Sequence, residues 1–121
     1  MSYSLAVALG GALGALSRYW LIGVLGASRF PWGTFAVNVL GSCLIGVLYV
    51  LISEKAVLSD QWRSLLMVGY LGAFTTFSSF SLDALLLLQE GRLLQAALYV
   101  VGSVALCLVG AWLGMVLMRA L

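Results

Sequence analysis

The chain has 121 residues, of which 64% are hydrophobic and only 8% charged, with a formal net charge of +2. Its mean hydropathy is +1.15, and a soluble domain this short cannot bury so much apolar surface, which excludes a water-soluble globular fold. With no histidine and four carboxylates in all, hydrolytic and redox chemistry have almost nothing to work with, so the expectation is a protein that is not an enzyme.

A helix needs roughly 20 residues to cross a hydrocarbon core of about 30 Å. Residues 5–25, 32–52, 65–88 and 93–117 meet that length with apolar character. The links "GASRFP", "SEKAVLSDQWR" and "QEGR" are too short for a soluble domain. The fold class expected is an all-α membrane protein, with residues 1–121 forming a single four-helix transmembrane domain surrounded by lipid and with no nucleic-acid partner. No basic residue precedes the apolar stretch in "MSYSLAVALGG", which argues against a cleaved signal peptide.

The first segment carries "GGALGALSRY". Gly10 and Gly14 form a GxxxG pair, and Gly11 widens the flat face that lets a neighbouring backbone come close. Arg18 is costly inside a span unless it faces water, a partner or the interface. It either snorkels to the headgroups or attracts anions into a vestibule. In the second segment Thr34, Asn38 and Ser42 stand four residues apart and share one helical face. The Asn38 amide must find partners in an apolar medium; an interhelical hydrogen bond and a pore-lining donor both satisfy it.

The third segment holds "GYLGAFTTFSSFSLD", residues 69–83. Gly69, Gly72 and the β-branched pair Thr75–Thr76 make a poor helix centre, so this helix is expected to break near its middle. Unwound backbone at membrane depth survives only when buried in protein or lining a cavity. Its freed carbonyls are hard oxygen ligands suited to a small cation such as Na⁺. Beyond the break Phe77 and Phe80 stand at i and i+3. A phenyl ring is electropositive at its edge, so two rings turned edge-on can attract an anion. Core or lipid-facing phenylalanines are the alternative, and the surrounding serines weigh against it.

The fourth segment repeats the polar stripe with Tyr99, Ser103 and Cys107, then a second GxxxG pair, Gly110 and Gly114. Cys43 and Cys107 both fall inside spans without metal-ligand spacing and read as small core residues. With four spans, Lys55, Arg63 and Arg119 share one side, while Arg29 and Arg92 share the other, joined by Arg18 if it reaches out of the first helix. That split gives no usable orientation bias. Either other signals orient the chain, or it inserts both ways and pairs antiparallel.

Taken together, "GALGALSRYW", "GTFAVNVLGS" and above all "GYLGAFTTFSSFS" resemble the Fluc (CrcB) family of small fluoride channels. The resemblance implies fluoride export down its electrochemical gradient across a bacterial plasma (inner) membrane. It implies an antiparallel dual-topology homodimer with two pores and a structural Na⁺ at the central interface. By motif position it implies pore or fluoride-binding roles for Asn38, Phe77, Phe80, Tyr99 and Ser103, and Ser81 and Thr34, from the adjoining hydroxyls, are expected to join them. It also implies Na⁺ binding by the backbone carbonyls of Gly72 and Thr75, and beside such a pore the vestibule role for Arg18 is the reading adopted. Cys107 stands where a serine is expected, and Asp83 falls at the acidic position after the phenylalanines.

Two rivals are weaker. A proton-coupled small multidrug transporter needs an acidic group in its first helix, and residues 1–53 contain neither Asp nor Glu. A non-transporting assembly protein accounts for the GxxxG pairs but not for hydroxyls beside a helix break.

Overall fold

The computed structural model describes residues 1–26 and 28–121. Among them are four helices long and apolar enough to cross a membrane: Tyr3–Leu25, Trp32–Glu54, Asp60–Gln89 and Leu93–Ala120. We label the first two α1 and α2. The third comprises α3 (residues 60–74) and α4 (Phe77–Gln89), and the fourth is α5. The third span starts earlier than hydropathy implies. Ser59 and Asp60 make a suitable helix start, and winding a helix requires no apolar side chains, so polarity marks the lipid boundary and not the helix end.

Local signals explain some of the termini. The Ser2 hydroxyl accepts the Leu5 N–H at 3.1 Å and caps α1. Helix α4 stops at Gly91, whose φ of 76° suits a residue without Cβ. There the Arg92 N–H reaches the Leu87 carbonyl at 2.9 Å, the long bond of a Schellman motif. The end of α2, Val50–Glu54, and most of α3, Arg63–Leu71, wind as π-helix, a widened form found mostly as single turns.

The helices associate as two intimate pairs, α1 with α3 and α2 with α5. Both pairings run through small residues. A Cβ on Gly10 would collide with the Leu65 carbonyl, and one on Gly14 with that of Tyr70. In the other pair, Cβ atoms on Gly46 and Gly114 would strike the Ala111 and Cys43 carbonyls. Backbones this close gain dispersion contacts that no lipid tail can match. At one end of the second pair, Arg119 and Glu54 form an ion pair at 2.5 Å.

Within the third span Thr75 (φ −89°, ψ 156°) and Thr76 (φ −150°, ψ 114°) are extended. On one side of them Phe74 packs with Val37 and Leu71 against Leu21, Ile22 and Tyr70. On the other, Phe80 packs with Leu87, Ala96 and Tyr99 against Phe30 and Phe35. The span therefore changes partners at the two threonines, from α1 and α2 to α5.

Gly14→Ala should destabilise the protein by about 1–3 kcal/mol, the usual scale of overpacking, because backbone cannot swing aside as a side chain can. Gly23→Ala, with nothing within 4 Å of its new methyl, should not. Thermal unfolding of the detergent-solubilised variants measures this, and equal melting temperatures would contradict the packing account.

Candidate functional site

Beside the extended threonines lies an open groove of about 400 Å³. Helix α2 contributes Asn38, Gly41 and Ser42, α3 contributes Met67, Leu71 and Gly72, and Thr75 and Thr76 form its floor. Phe77 and Phe80 come from α4, and Ser103, Val104, Cys107 and Leu108 from α5. Gly41 opens this space, since a Cβ there would collide with the Thr75 methyl. No lysine or arginine is among the lining residues.

Asn38 meets the extended backbone with both ends of its amide. Its Nδ2–H donates to the Thr76 carbonyl at 3.0 Å, and its Oδ1 accepts the Thr76 N–H at 2.7 Å. A primary amide carries two N–H donors, so one remains for the groove that Asn38 lines. Of the two roles its position in the sequence allows, the interhelical hydrogen bond is present, and it leaves a donor over.

The hydroxyls divide into engaged and free. Thr75 Oγ1 donates to the Leu71 carbonyl at 2.9 Å, and Ser81 Oγ donates to the Phe77 carbonyl at 2.9 Å. Thr76 Oγ1 accepts the Ser79 N–H at 3.1 Å and caps α4. Ser103 differs. It is 4% exposed, and among the described residues its Oγ is a buried side-chain oxygen with no hydrogen-bond partner. Burying such a group without a partner is costly.

The two phenylalanines have opposite environments. Phe80 is 8% exposed, whereas Phe77 is 77% exposed. Their ring centroids lie 5.4 Å apart, and Phe80 sits 5.2 Å from the Tyr99 ring. Tyr99 is fully buried and donates from its hydroxyl to Asp83 Oδ2 at 3.1 Å. Thr34 is buried beside it. Thr34 and Tyr99 thus do not line the groove but lie behind Phe80, further toward the 90–92 end. Asn38, Ser42, Ser103 and Cys107 of the same stripes lie within it. Ser81 is outside the lining too.

Arg18 reaches inward. Its Nε–H donates to the Ala73 carbonyl at 3.0 Å, so it meets the last turn of α3, just before the extended residues. Neither this bond nor the one between Tyr99 and Asp83 carries a sequence signal, because the partners are 55 and 16 residues apart. Among the described residues no three His, Cys, Asp or Glu side chains gather to hold a metal. No carboxylate is among the residues that line the groove.

These features define a multi-pass membrane protein with a groove of neutral hydrogen-bonding groups at mid-span. The sequence matches the family described as "CrcB-like protein, Camphor Resistance (CrcB)" over residues 5–115, and the chain belongs to that family. It is 54% identical over 117 residues to a "Fluoride-specific ion channel FluC" of Hahella chejuensis, covering 93% of this chain and 91% of the relative. A protein of the same description from Paramagnetospirillum magneticum is 50% identical over 119 residues, 94% of this chain and 92% of the relative. One from Geobacter sulfurreducens is 45% identical over the full length of both, 100% and 100%.

The two cysteines offer a check on the groove. Cys107 lines it, whereas Cys43 is set in the seam against Gly110 and Gly114. In Cys43→Ser, a small water-soluble thiol reagent should modify Cys107. In Cys107→Ser, it should modify Cys43 on the order of tenfold more slowly, since access governs thiol reactivity. Mass spectrometry reads both, and modification of Cys107 no faster than that of Cys43 would contradict the placement of Cys107 alone on a water-accessible groove.

Proposed function

We propose that this protein is a fluoride-selective channel that lets fluoride leave the cell down its electrochemical gradient across the bacterial inner membrane. The observation that carries the reading is the unpartnered, buried Ser103 hydroxyl in a groove that Asn38 also lines and that has no cationic side chain. Fluoride is small, hard and tightly hydrated, so its path must offer hydrogen-bond donors in place of water. Ser103 and the spare N–H of Asn38 are such donors. A lysine or arginine at a constriction would hold the ion, whereas conduction needs binding weak enough to leave.

Phe77 and Phe80 extend the path. Ring edges carry partial positive charge, so they attract an anion without fixing it. Past Phe80 the ion would meet Tyr99 and Thr34, with Ser81 contributing once its hydroxyl turns from the Phe77 carbonyl. Arg18 supplies positive potential to the vestibule. Asp83 holds the Tyr99 hydroxyl and so orients it.

The working unit in this reading is an antiparallel homodimer with two pores. One chain leaves Phe77 and Gly72 exposed along the groove, and a second copy would close it. Lys55, Arg63 and Arg119 on one side against Arg29 and Arg92 on the other leave orientation unbiased. A Na⁺ fits the residues present. Thr75 is extended and cannot turn its carbonyl into a helix, and Gly72 is exposed, with only the Met67 carbonyl, at 3.8 Å, near where a Cβ would stand. Their neutral carbonyls suit a monovalent ion better than Ca²⁺. Two oxygens from one chain are too few to replace a hydration shell, so the partner copy would supply the rest. The ion's contribution is structural, as a fixed positive charge at the interface.

Fluoride efflux from liposomes, followed with a fluoride electrode, tests the anion path. Phe80→Ile and Phe77→Ile should each reduce efflux about tenfold or more, equivalent to roughly 1.4 kcal/mol of barrier, without preventing assembly. Asn38→Asp should do at least as much harm, because it places a like charge in the anion's path and removes both amide donors. Phe→Met should hurt less than Phe→Ile, since a polarisable group still meets the ion. If Met and Ile behave alike, the rings only pack.

Assembly has its own test. Two or three lysines added to residues 55–59 should fix one orientation and abolish efflux, and a copy biased the opposite way should restore it. Full activity of the singly biased protein would contradict dual topology. Strict dependence of flux on a sodium gradient would make Na⁺ a transported ion.

A further inference from the structure

We propose that Arg18 and Asn38 are positioning residues that clamp the extended segment from its two sides, α1 and α2. The clamp itself is a matter of backbone hydrogen bonding; only its service to fluoride flux rests on the channel reading. The last turn of a helix has carbonyls with no intrahelical donor ahead of them. At the end of α3 the Leu71 carbonyl takes the Thr75 N–H at 3.0 Å and the Thr75 hydroxyl at 2.9 Å. The Ala73 carbonyl takes Arg18 Nε–H at 3.0 Å. Thr76, the residue just before α4, has both backbone groups paired with Asn38.

The division of carbonyls matters. Ala73 lies between Gly72 and Thr75, the groove-lining residues whose carbonyls suit a cation. By holding Ala73, Arg18 fixes the rotation of the last α3 turn about its axis. By holding Thr76, Asn38 fixes where α4 begins and hence where Phe77 points. A guanidinium at a helix C-terminus is also favourably placed against the helix dipole. The half-buried side chain presents Nε, the nitrogen nearest its stem, to the backbone. A residue serving only as a source of charge would not need that particular atom.

Side-chain lengths supply the test. The amide nitrogen of glutamine stands as many bonds from Cα as Arg Nε does, so Arg18→Gln keeps the donor and loses the charge. In Arg18→Met a methyl takes that position, so both are lost. Arg18→Lys keeps the charge. Hydrogen–deuterium exchange at the Thr75 and Thr76 amides of the full-length protein in lipid nanodiscs reads the clamp, and fluoride efflux from liposomes reads its consequence.

Arg18→Met should speed exchange at these amides about tenfold, the effect of losing one hydrogen bond of ordinary strength, and efflux should fall in step. Arg18→Gln should keep exchange at these amides within about threefold of wild type, since the donor to Ala73 remains; any loss of efflux beyond that reports the vestibule charge and not the clamp. Asn38→Ala should expose the Thr76 amide, whereas Asn38→Asp, which keeps the acceptor, should leave that amide protected while efflux is lost. The proposal is overturned if the Thr75 and Thr76 amides exchange as fast in Arg18→Gln as in Arg18→Met, since the retained donor would then protect nothing. It is equally overturned if the Thr76 amide exchanges at the wild-type rate in Asn38→Ala. Absence of fluoride efflux from wild type would sink the channel reading, while the exchange measurements would still decide the clamp.

Discussion

Inside a hydrocarbon core every backbone N–H and C=O must find a protein partner, because water is absent and each orphan costs on the order of several kcal/mol. In this molecule Thr75 and Thr76 are extended within a span, and side chains meet the requirement there. Asn38 pairs with both backbone groups of Thr76. The Thr76 hydroxyl caps α4, and Arg18 reaches the Ala73 carbonyl. Each of these polar residues would be a liability in an unbroken bundle. Beside the extended pair each has a backbone partner.

The same two residues let one span serve two neighbourhoods. Up to Phe74 the chain lies against α1, at a separation that only glycine on both surfaces permits. After Phe77 it lies against α5, where Phe80 fills the space beside Tyr99. A continuous helix would present one stripe to one set of neighbours. The change of partner leaves a wedge of space between the halves and α2 and α5, and that wedge is the groove.

Its chemistry follows from what the fold has already engaged. Thr75, Thr76 and Ser81 direct their hydroxyls to local backbone, so hydroxyl-rich sequence does not translate into a hydroxyl-rich path. What remains is sparse: the Ser42 and Ser103 hydroxyls, one N–H of Asn38 and the edges of two rings. Sparse donors suit passage better than capture, since a cage that satisfied a small anion fully would hold it. Phe77 stands far more exposed than Phe80, so a single chain presents only one wall of an enclosure.

The sequence by itself determined that the chain lives in a membrane, how many times it crosses, and which residues are small enough for close backbone contact. These follow from hydropathy and from spacings of three and four, which are properties of one helix. The low helix propensity of Thr75 and Thr76 is legible for the same reason, as a local property. The tertiary structure decided the rest. It drew Asn38 to a residue 38 positions away and Arg18 to one 55 away. It separated Thr34 and Tyr99 from the stripes they belong to in sequence, and among the described residues it left the buried Ser103 hydroxyl without a partner while those of Thr75, Thr76 and Ser81 found theirs. A hydroxyl or amide is the same group in every helix. Whether it ends as glue or as a free donor depends on which backbone another helix brings within about 3 Å, and no periodicity within its own helix encodes that.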